Sequence, residues 1–159
     1  MAGSHKAGFK NSRADLFHGA YMILVPPIYD DPVLFGKIEY VLKPIGFGHI
    51  TITTAEKHDE MIAFSSQMAH VVSNAFIKSP SAGGHKGFSA GSYRDLTRVA
   101  QLNAKMWGEL LMDNSEFLIK ELDIFTESIK QYRDALETKD IDKLVSLLEE
   151  GSRRKSELD

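Results

Sequence analysis

Two arginines one helical turn apart, Arg94 and Arg98, sit in the segment Gly91-Ser-Tyr-Arg-Asp-Leu-Thr-Arg-Val-Ala100, directly after a glycine-rich stretch. A guanidinium presents a planar fork of donors that grips a carboxylate in two parallel hydrogen bonds. The pair is therefore a candidate carboxylate site, and the glycine-rich loop beside it could close over a bound ligand. The alternative for the same residues is an ion pair between Arg98 and Asp95 on a solvated helix face. Ser66 and His70 stand four apart in a stretch of helical period, so they project from one face and could hold one polar ligand. Equally, they could be hydrogen-bonded to backbone or to each other within the packing. His58-Asp59 opens the same helix, where an acid is favoured by the positive helix end. Trp107 and Asn114, two turns apart on a later helix, read as core and cap residues.

Other signals lead away from chemistry. The run Gly46-Phe-Gly-His-Ile-Thr51 starts like a dinucleotide fingerprint, but it follows a helix and leads into a strand. A phosphate turn must follow a strand and open a helix so that its amide donors face the pyrophosphate. The run reads as a turn, and the nucleotide fingerprint is absent from this chain. Six histidines include no His-Glu-x-x-His pattern and no clustered acidic partners, so no metal site is expected. The absence of cysteine removes disulfides, thiolate zinc sites and thiol nucleophiles, and suits a cytoplasmic protein. Lys and Arg number 19 against 22 for Asp and Glu, a net charge of -3, so no positive field draws the chain to nucleic acid. Apolar runs such as Ala20 to Ile28 are too short to span a bilayer, and the start lacks the order of a signal peptide, so no membrane partner is expected.

The elements that must position these residues follow from periodicity. With 43% hydrophobic and 26% charged residues, the 159-residue chain has the make-up of a folded globular protein, long enough for one domain plus a fragment of another. Tyr21 to Val25 is continuously apolar and closes on Pro26-Pro27, the pattern of a strand buried on both faces. Asp31-Pro32 caps and opens a helix with apolar residues at helical spacing up to Pro44 and Gly46. His49 to Thr54 has the β-branched density of a second strand. After Thr54 only helical period and loop chemistry remain. Residues 56 to 78 form a helix apolar almost all round, expected to be buried centrally or at an interface. Ser79 to Ser92 reads as a long mobile loop. A short helix over Asp95 to Leu102 follows, then a broken or bent one from Ala104 to Leu136, and a last one from Asp140 to about Arg154. The fold class is mainly α, a helical domain preceded by a partial α/β strand-helix-strand remnant. Two strands make a poor independent sheet, so residues 1–54 read as the end of something larger and 55–159 as a helical domain.

Taken in order, Met1-Ala-Gly-Ser-His-Lys-Ala-Gly-Phe9, the strand ending Ile-Leu-Val-Pro-Pro27, His58-Asp59, Ser66-Gln-Met-Ala-His70, Gly91 to Ala100, Met106-Trp107 and Asn114 resemble the prephenate dehydrogenases of tyrosine biosynthesis. The resemblance spans nearly the whole chain. It implies that residues 1–54 are the carboxy-terminal remnant of a Rossmann-type nucleotide-binding domain and 55–159 a substrate-binding and dimerisation domain of a homodimer. It implies an enzyme that uses NAD or NADP to decarboxylate prephenate oxidatively to 4-hydroxyphenylpyruvate, with no metal. Arogenate dehydrogenase and a non-catalytic helical dimerisation or interaction module are the alternatives. By the same resemblance Arg98 holds a substrate carboxylate, His70 closes one side of the substrate pocket with Ser66 as its neighbour, Arg94 assists, and Ser4 lines the active site. In such enzymes a His-Pro pair stands directly before Met-Ala-Gly and that histidine is catalytic. It is expected upstream of Met1, so no catalytic residue is expected in this chain and the chain alone is expected to be inactive. The family commonly reads Ser-His-Leu-Pro-His where this sequence has Ser66-Gln67-Met68-Ala69-His70, which removes or alters any role of the first histidine of that motif.

Overall fold

The structure is a computed structural model that describes residues 8–158. The chain divides between Leu118 and Ile119 into two compact units. The first opens with strand β1 (Tyr21–Leu24), helix α1 (Pro32–Leu42) and strand β2 (His49–Ile52). The strands pair in parallel, Tyr21 with His49 through Leu24 with Ile52, and parallel neighbours need a crossover, which α1 supplies. Asp31 caps α1 as its sequence requires, its carboxylate accepting from the Leu34 amide at 2.9 Å, with proline at the tolerated first position. The α1 exit ends at Gly46, held at φ 91°.

Gly48 lies so close to the neighbouring loop that a β-carbon there would stand 2.9 Å from the Gly19 carbonyl oxygen. Amides of Gly19 and Gly48 donate to the carbonyls of Gly46 and Ala20 at 2.9 and 3.0 Å. The glycines of the Gly46-Phe-Gly turn therefore serve close backbone packing, in line with its reading as a turn.

The expectation that β1 is buried on both faces fails. Tyr21 is 68% exposed, and every residue of β2 is exposed. A pair of strands crossed by one helix has too few neighbours to cover both faces. The second strand also stops short of Thr54, whose hydroxyl accepts from the Lys57 amide at 3.1 Å and caps the next helix instead.

That helix is interrupted. α2 (Ala55–Ile62) passes through a π-helical turn (Ala63–Gln67) into α3 (Met68–Phe76). Ala63, Gln67, Met68 and Ser73 are buried, while Met61, Phe64 and Phe76 stay exposed, so the apolar perimeter is only half covered. Part of the expected loop is ordered as a 3-10 turn at Pro80–Gly84. The next helix, α4 (Gly91–Thr97), begins four residues earlier than its periodicity suggested and stops before Arg98. Its first turn forms because the Ala90 carbonyl accepts from the Arg94 amide at 3.3 Å, and a glycine at a helix start loses little. The long helix breaks, as expected, into α5 (Ala104–Asp113) and α6 (Ser115–Glu137), with Asn114 between them.

Contacts between the α2–α3 segment and the α5 region run in opposite directions along the two: Asp59 meets Asn114, Gln67 meets Leu110, His70 meets Trp107 and Asn74 meets Ala100. The two segments are thus antiparallel. Trp107, 7% exposed, is the largest buried side chain along that seam.

In the second unit the rest of α6 turns into α7 (Ile141–Leu158). Lys139 takes a left-handed φ of 55° at the turn, and the Asp140 amide donates back to the Ala135 carbonyl at 2.9 Å. Asp140 caps α7 through the Lys143 amide at 2.9 Å. Ala135 and Leu147 are buried between the helices, and the Tyr132 hydroxyl donates to the Leu147 carbonyl at 3.2 Å.

Candidate functional site

His70 is held by two contacts of different kinds. Its Nδ1 lies 3.0 Å from the Ser66 carbonyl oxygen. A carbonyl only accepts, so Nδ1 carries the proton and neutral His70 keeps its lone pair on Nε2. The ring also stacks on Trp107, with centroids 3.8 Å apart and planes at 28°. Among the described residues neither His70 Nε2 nor the Ser66 hydroxyl has a hydrogen-bonding partner, and both residues are half-buried. The link between Ser66 and His70 thus runs through the Ser66 main chain. Both polar atoms that could meet a ligand remain available.

Asn74, one turn beyond His70 on α3, donates to the Ala100 carbonyl at 3.1 Å. Ala100 is two residues after Arg98, so this bond fixes the Arg98 segment beside α3. The alternative of an Arg98 to Asp95 ion pair is not formed: among the described residues Arg94 and Arg98 are exposed and have no ion-pair partner. Arg94 faces an open hollow of about 450 Å³ lined also by His85, Ser89, Tyr93 and Thr97. The His85 and Tyr93 rings stack with centroids 4.5 Å apart, and His85 Nδ1 meets the Ser89 hydroxyl at 3.2 Å. The hollow takes in neither Arg98 nor His70. Ser4 lies outside the described residues.

Behind the site runs a set of buried amides. Gln67, 5% exposed, donates from Nε2 to the Leu110 carbonyl at 3.1 Å and accepts at Oε1 from Asn114 Nδ2 at 2.9 Å. Asn114 Nδ2 also donates to the Asp59 carbonyl at 2.8 Å. That carbonyl shares the Ala63 amide with the Glu60 carbonyl, just where α bonding gives way to the π turn. Sequence reasoning assigned Asn114 a capping role, which it has, and missed its side-chain bridge. The available signal was Gln67, a lone amide among apolar neighbours on a helix otherwise apolar almost all round. His58 and Asp59 pair side by side at 2.8 Å and stay partly exposed, in line with a local role.

No described segment builds a pyrophosphate turn: the glycine turns at Gly19 and Gly46-Phe-Gly48 lead into strands rather than helices, and Gly19 and Gly48 pack against each other. Among the described residues there is thus no cradle for a pyrophosphate. Among the described residues no group of three or more histidines or acids stands together, and no helix is long and apolar enough to cross a membrane.

A strand-helix-strand unit leading into an antiparallel helical array is also the fold of the prephenate dehydrogenase from A. aeolicus, solved in complex with hydroxyphenyl propionate and NAD+. It matches with a TM-score of 0.80 at 24% identity, over 100% of this chain and 57% of that one. The class of fold is thus a helical domain that follows an α/β strand-helix-strand unit. The family model described as "Prephenate dehydrogenase, dimerization domain" matches residues 54–150, and the chain belongs to the prephenate dehydrogenase family. The cyclohexadienyl dehydrogenase of Zymomonas mobilis is 30% identical over 159 residues, covering 96% of this chain and 54% of that protein. The prephenate dehydrogenase of Bacillus subtilis is 28% identical over 149 residues, covering 91% and 40%. The chain spans about half the length of the curated relatives it matches.

Proposed function

We propose that this chain is the carboxy-terminal part of a cytoplasmic, homodimeric enzyme that decarboxylates prephenate oxidatively to 4-hydroxyphenylpyruvate, with NAD or NADP held by a nucleotide-binding domain. Residues 1–54 are the end of that domain, and 55–159 carry substrate-binding and dimerisation surfaces. The observation that carries the reading is the state of His70: fixed by the Ser66 carbonyl and the Trp107 ring, with Nε2 unused, one turn from the bond that anchors the Arg98 segment.

Prephenate bears two carboxylates. Arg98 and Arg94, both without partners among the described residues, supply charge and forked donors for them, and His70 Nε2 and the Ser66 hydroxyl supply polar contacts on the neighbouring face. Ser4 is assigned to the same site by resemblance. These residues bind and orient. No proton or hydride step is assigned to them, since by resemblance the catalytic histidine of such enzymes precedes a Met-Ala-Gly element, and no described segment cradles a pyrophosphate. The Zymomonas mobilis relative is named for the cyclohexadienyl ring that prephenate and arogenate share, which favours arogenate as a second reading of the substrate.

The test is NAD(P)-dependent turnover by the 159-residue chain alone and by the chain completed with a nucleotide-binding domain. Loss of a positioned acid/base group typically costs about a hundredfold to ten-thousandfold in rate, and loss of the dinucleotide site removes turnover. No rate is expected from the chain alone, and turnover of prephenate, of arogenate or of both from the completed form. Robust turnover by the chain alone contradicts the proposal. A folded, nucleotide-binding completed form that turns over neither compound favours a non-catalytic dimerisation module.

A further inference from the structure

We propose that Gln67 and Asn114 are positioning residues for His70, acting through the π-helical turn Ala63–Gln67 to hold its imidazole in the Nδ1-protonated form with Nε2 free. The inference rests on the reading of His70 as a ligand-binding residue only for its functional meaning; the structural coupling stands by itself.

A π turn carries one more residue per turn than the α ladder and is less stable, so it persists where outside contacts hold it. Here those contacts are side-chain amides. Asn114 Nδ2 reaches the Asp59 carbonyl at the entry to the turn and Gln67 Oε1 at its exit, at 2.8 and 2.9 Å. Gln67 Nε2 then fastens the exit to α5 at the Leu110 carbonyl, 3.1 Å away. A buried amide has lost its water, so each of these bonds is costly to leave unmade.

Both restraints on His70 refer back to the parts so fastened. Its hydrogen-bond acceptor is the carbonyl of Ser66, the residue before Gln67, inside the π turn. Its stacking partner is Trp107, one turn before Leu110 on α5. Gln67 is thus the cross-link between the element that presents the Ser66 carbonyl and the element that presents the indole. The protonated nitrogen of a neutral histidine follows from the bond its other nitrogen makes. If the π turn relaxes toward an α turn, everything before it rotates relative to α3, and the Ser66 carbonyl leaves Nδ1. Gln67 stands where the resemblance places a histidine in the family's usual motif, so in this chain the position serves the scaffold behind the site.

The experiment is a two-dimensional nitrogen-proton correlation of the imidazole rings in the full, isotope-labelled chain at about pH 8, where an ordinary imidazole is neutral. In the native chain His70 is expected to show the Nδ1-protonated pattern. In Gln67→Leu, with helical circular dichroism unchanged, that pattern is expected to give way to the Nε2-protonated one that a free imidazole prefers in water. Asn114→Asp replaces the donating group with an oxygen at nearly constant size and is expected to shift His70 in the same direction, less completely. It also keeps the question open to test if Gln67→Leu does not fold. A folded Gln67→Leu or Asn114→Asp chain whose His70 keeps the native pattern overturns the proposal, as does a native chain without it. No ligand is needed, so failure of the substrate reading leaves this result unaffected.

Discussion

Replacing Trp107 by alanine removes an indole of which only 7% is accessible and which forms one side of the stack with His70. Truncation of a buried Trp or Phe to alanine costs about 3–5 kcal/mol, because the vacated space refills only in part. Among the described residues of the larger unit the buried hydrophobics are Ala63, Met68, Trp107 and Leu118, so few large neighbours are at hand to collapse into the gap, which argues for the upper part of that range. Small domains are stable by only about 5–15 kcal/mol. The loss therefore takes roughly a quarter of the stability or more, and at ordinary urea slopes of about 1–3 kcal/mol per molar it lowers the unfolding midpoint by at least about 1 M. Urea titration followed by far-ultraviolet circular dichroism measures this, since the variant has no tryptophan left to report by fluorescence. Met112→Ala, at a side chain 73% exposed, is the control and is expected to stay within about 0.5 kcal/mol of the native chain. A midpoint shift for Trp107→Ala no larger than that of the control refutes the placement of Trp107 as the main core residue of the seam.

Gly48→Ala puts a β-carbon 2.9 Å from the Gly19 carbonyl oxygen and is expected to cost about 1–3 kcal/mol, whereas Gly36→Ala, with open space around it in α1, is expected to stabilise by up to about 1 kcal/mol; thermal melts of the two variants check the contrast. Ser73 is 1% exposed and its hydroxyl has no partner among the described residues, so Ser73→Ala is expected to leave the melting temperature unchanged or raise it, and a clear drop would show that the hydroxyl is bonded. The Asp15 carboxylate is held below its ordinary pKa by the side-chain hydrogen bond from Arg13 and then by the charge of Arg13. With the folded pKa depressed, whatever the contact contributes is present above the unfolded pKa and lost as pH falls through the folded value. Arg13→Ala is expected to move Asp15 back up in a carboxyl titration followed by NMR, with little change in global stability because both groups are fully exposed.

Much of the fold was legible because local rules decide it. Asp31, Pro32 and Asp140 announce helix starts by chemistry that needs no tertiary partner, and the structure uses Asp31 and Asp140 as caps. The stretch from Ala104 to Leu136 read as broken or bent without a position for the break, which falls at Asn114. The exposure of Tyr21 and Ile23 was not legible, because an apolar strand reports what it can bury against and says nothing of whether the neighbour is there. Thr54 has the β-branched side chain of a strand residue and the hydroxyl of a cap, and only the following turn decides between them. The π turn was hidden for a deeper reason: its extra residue is held by Asn114, 47 positions from Gln67, and helical period alone does not distinguish it from an α turn. At the site, the spacing of Ser66 and His70 was legible, but the atom that links them is a main-chain carbonyl, which no side-chain pattern encodes.

Arg98 and His70 are proposed to serve one anionic ligand. Calorimetric titration of prephenate into the enzyme completed with its nucleotide-binding domain tests this most directly, with Arg98→Ala compared against the native form. A hydrogen bond to a charged group is worth about 1.5–3 kcal/mol, so affinity is expected to fall about tenfold to a hundredfold at 1.4 kcal/mol per decade, and His70→Ala is expected to be non-additive with it. Unchanged prephenate affinity in folded Arg98→Ala would contradict the account.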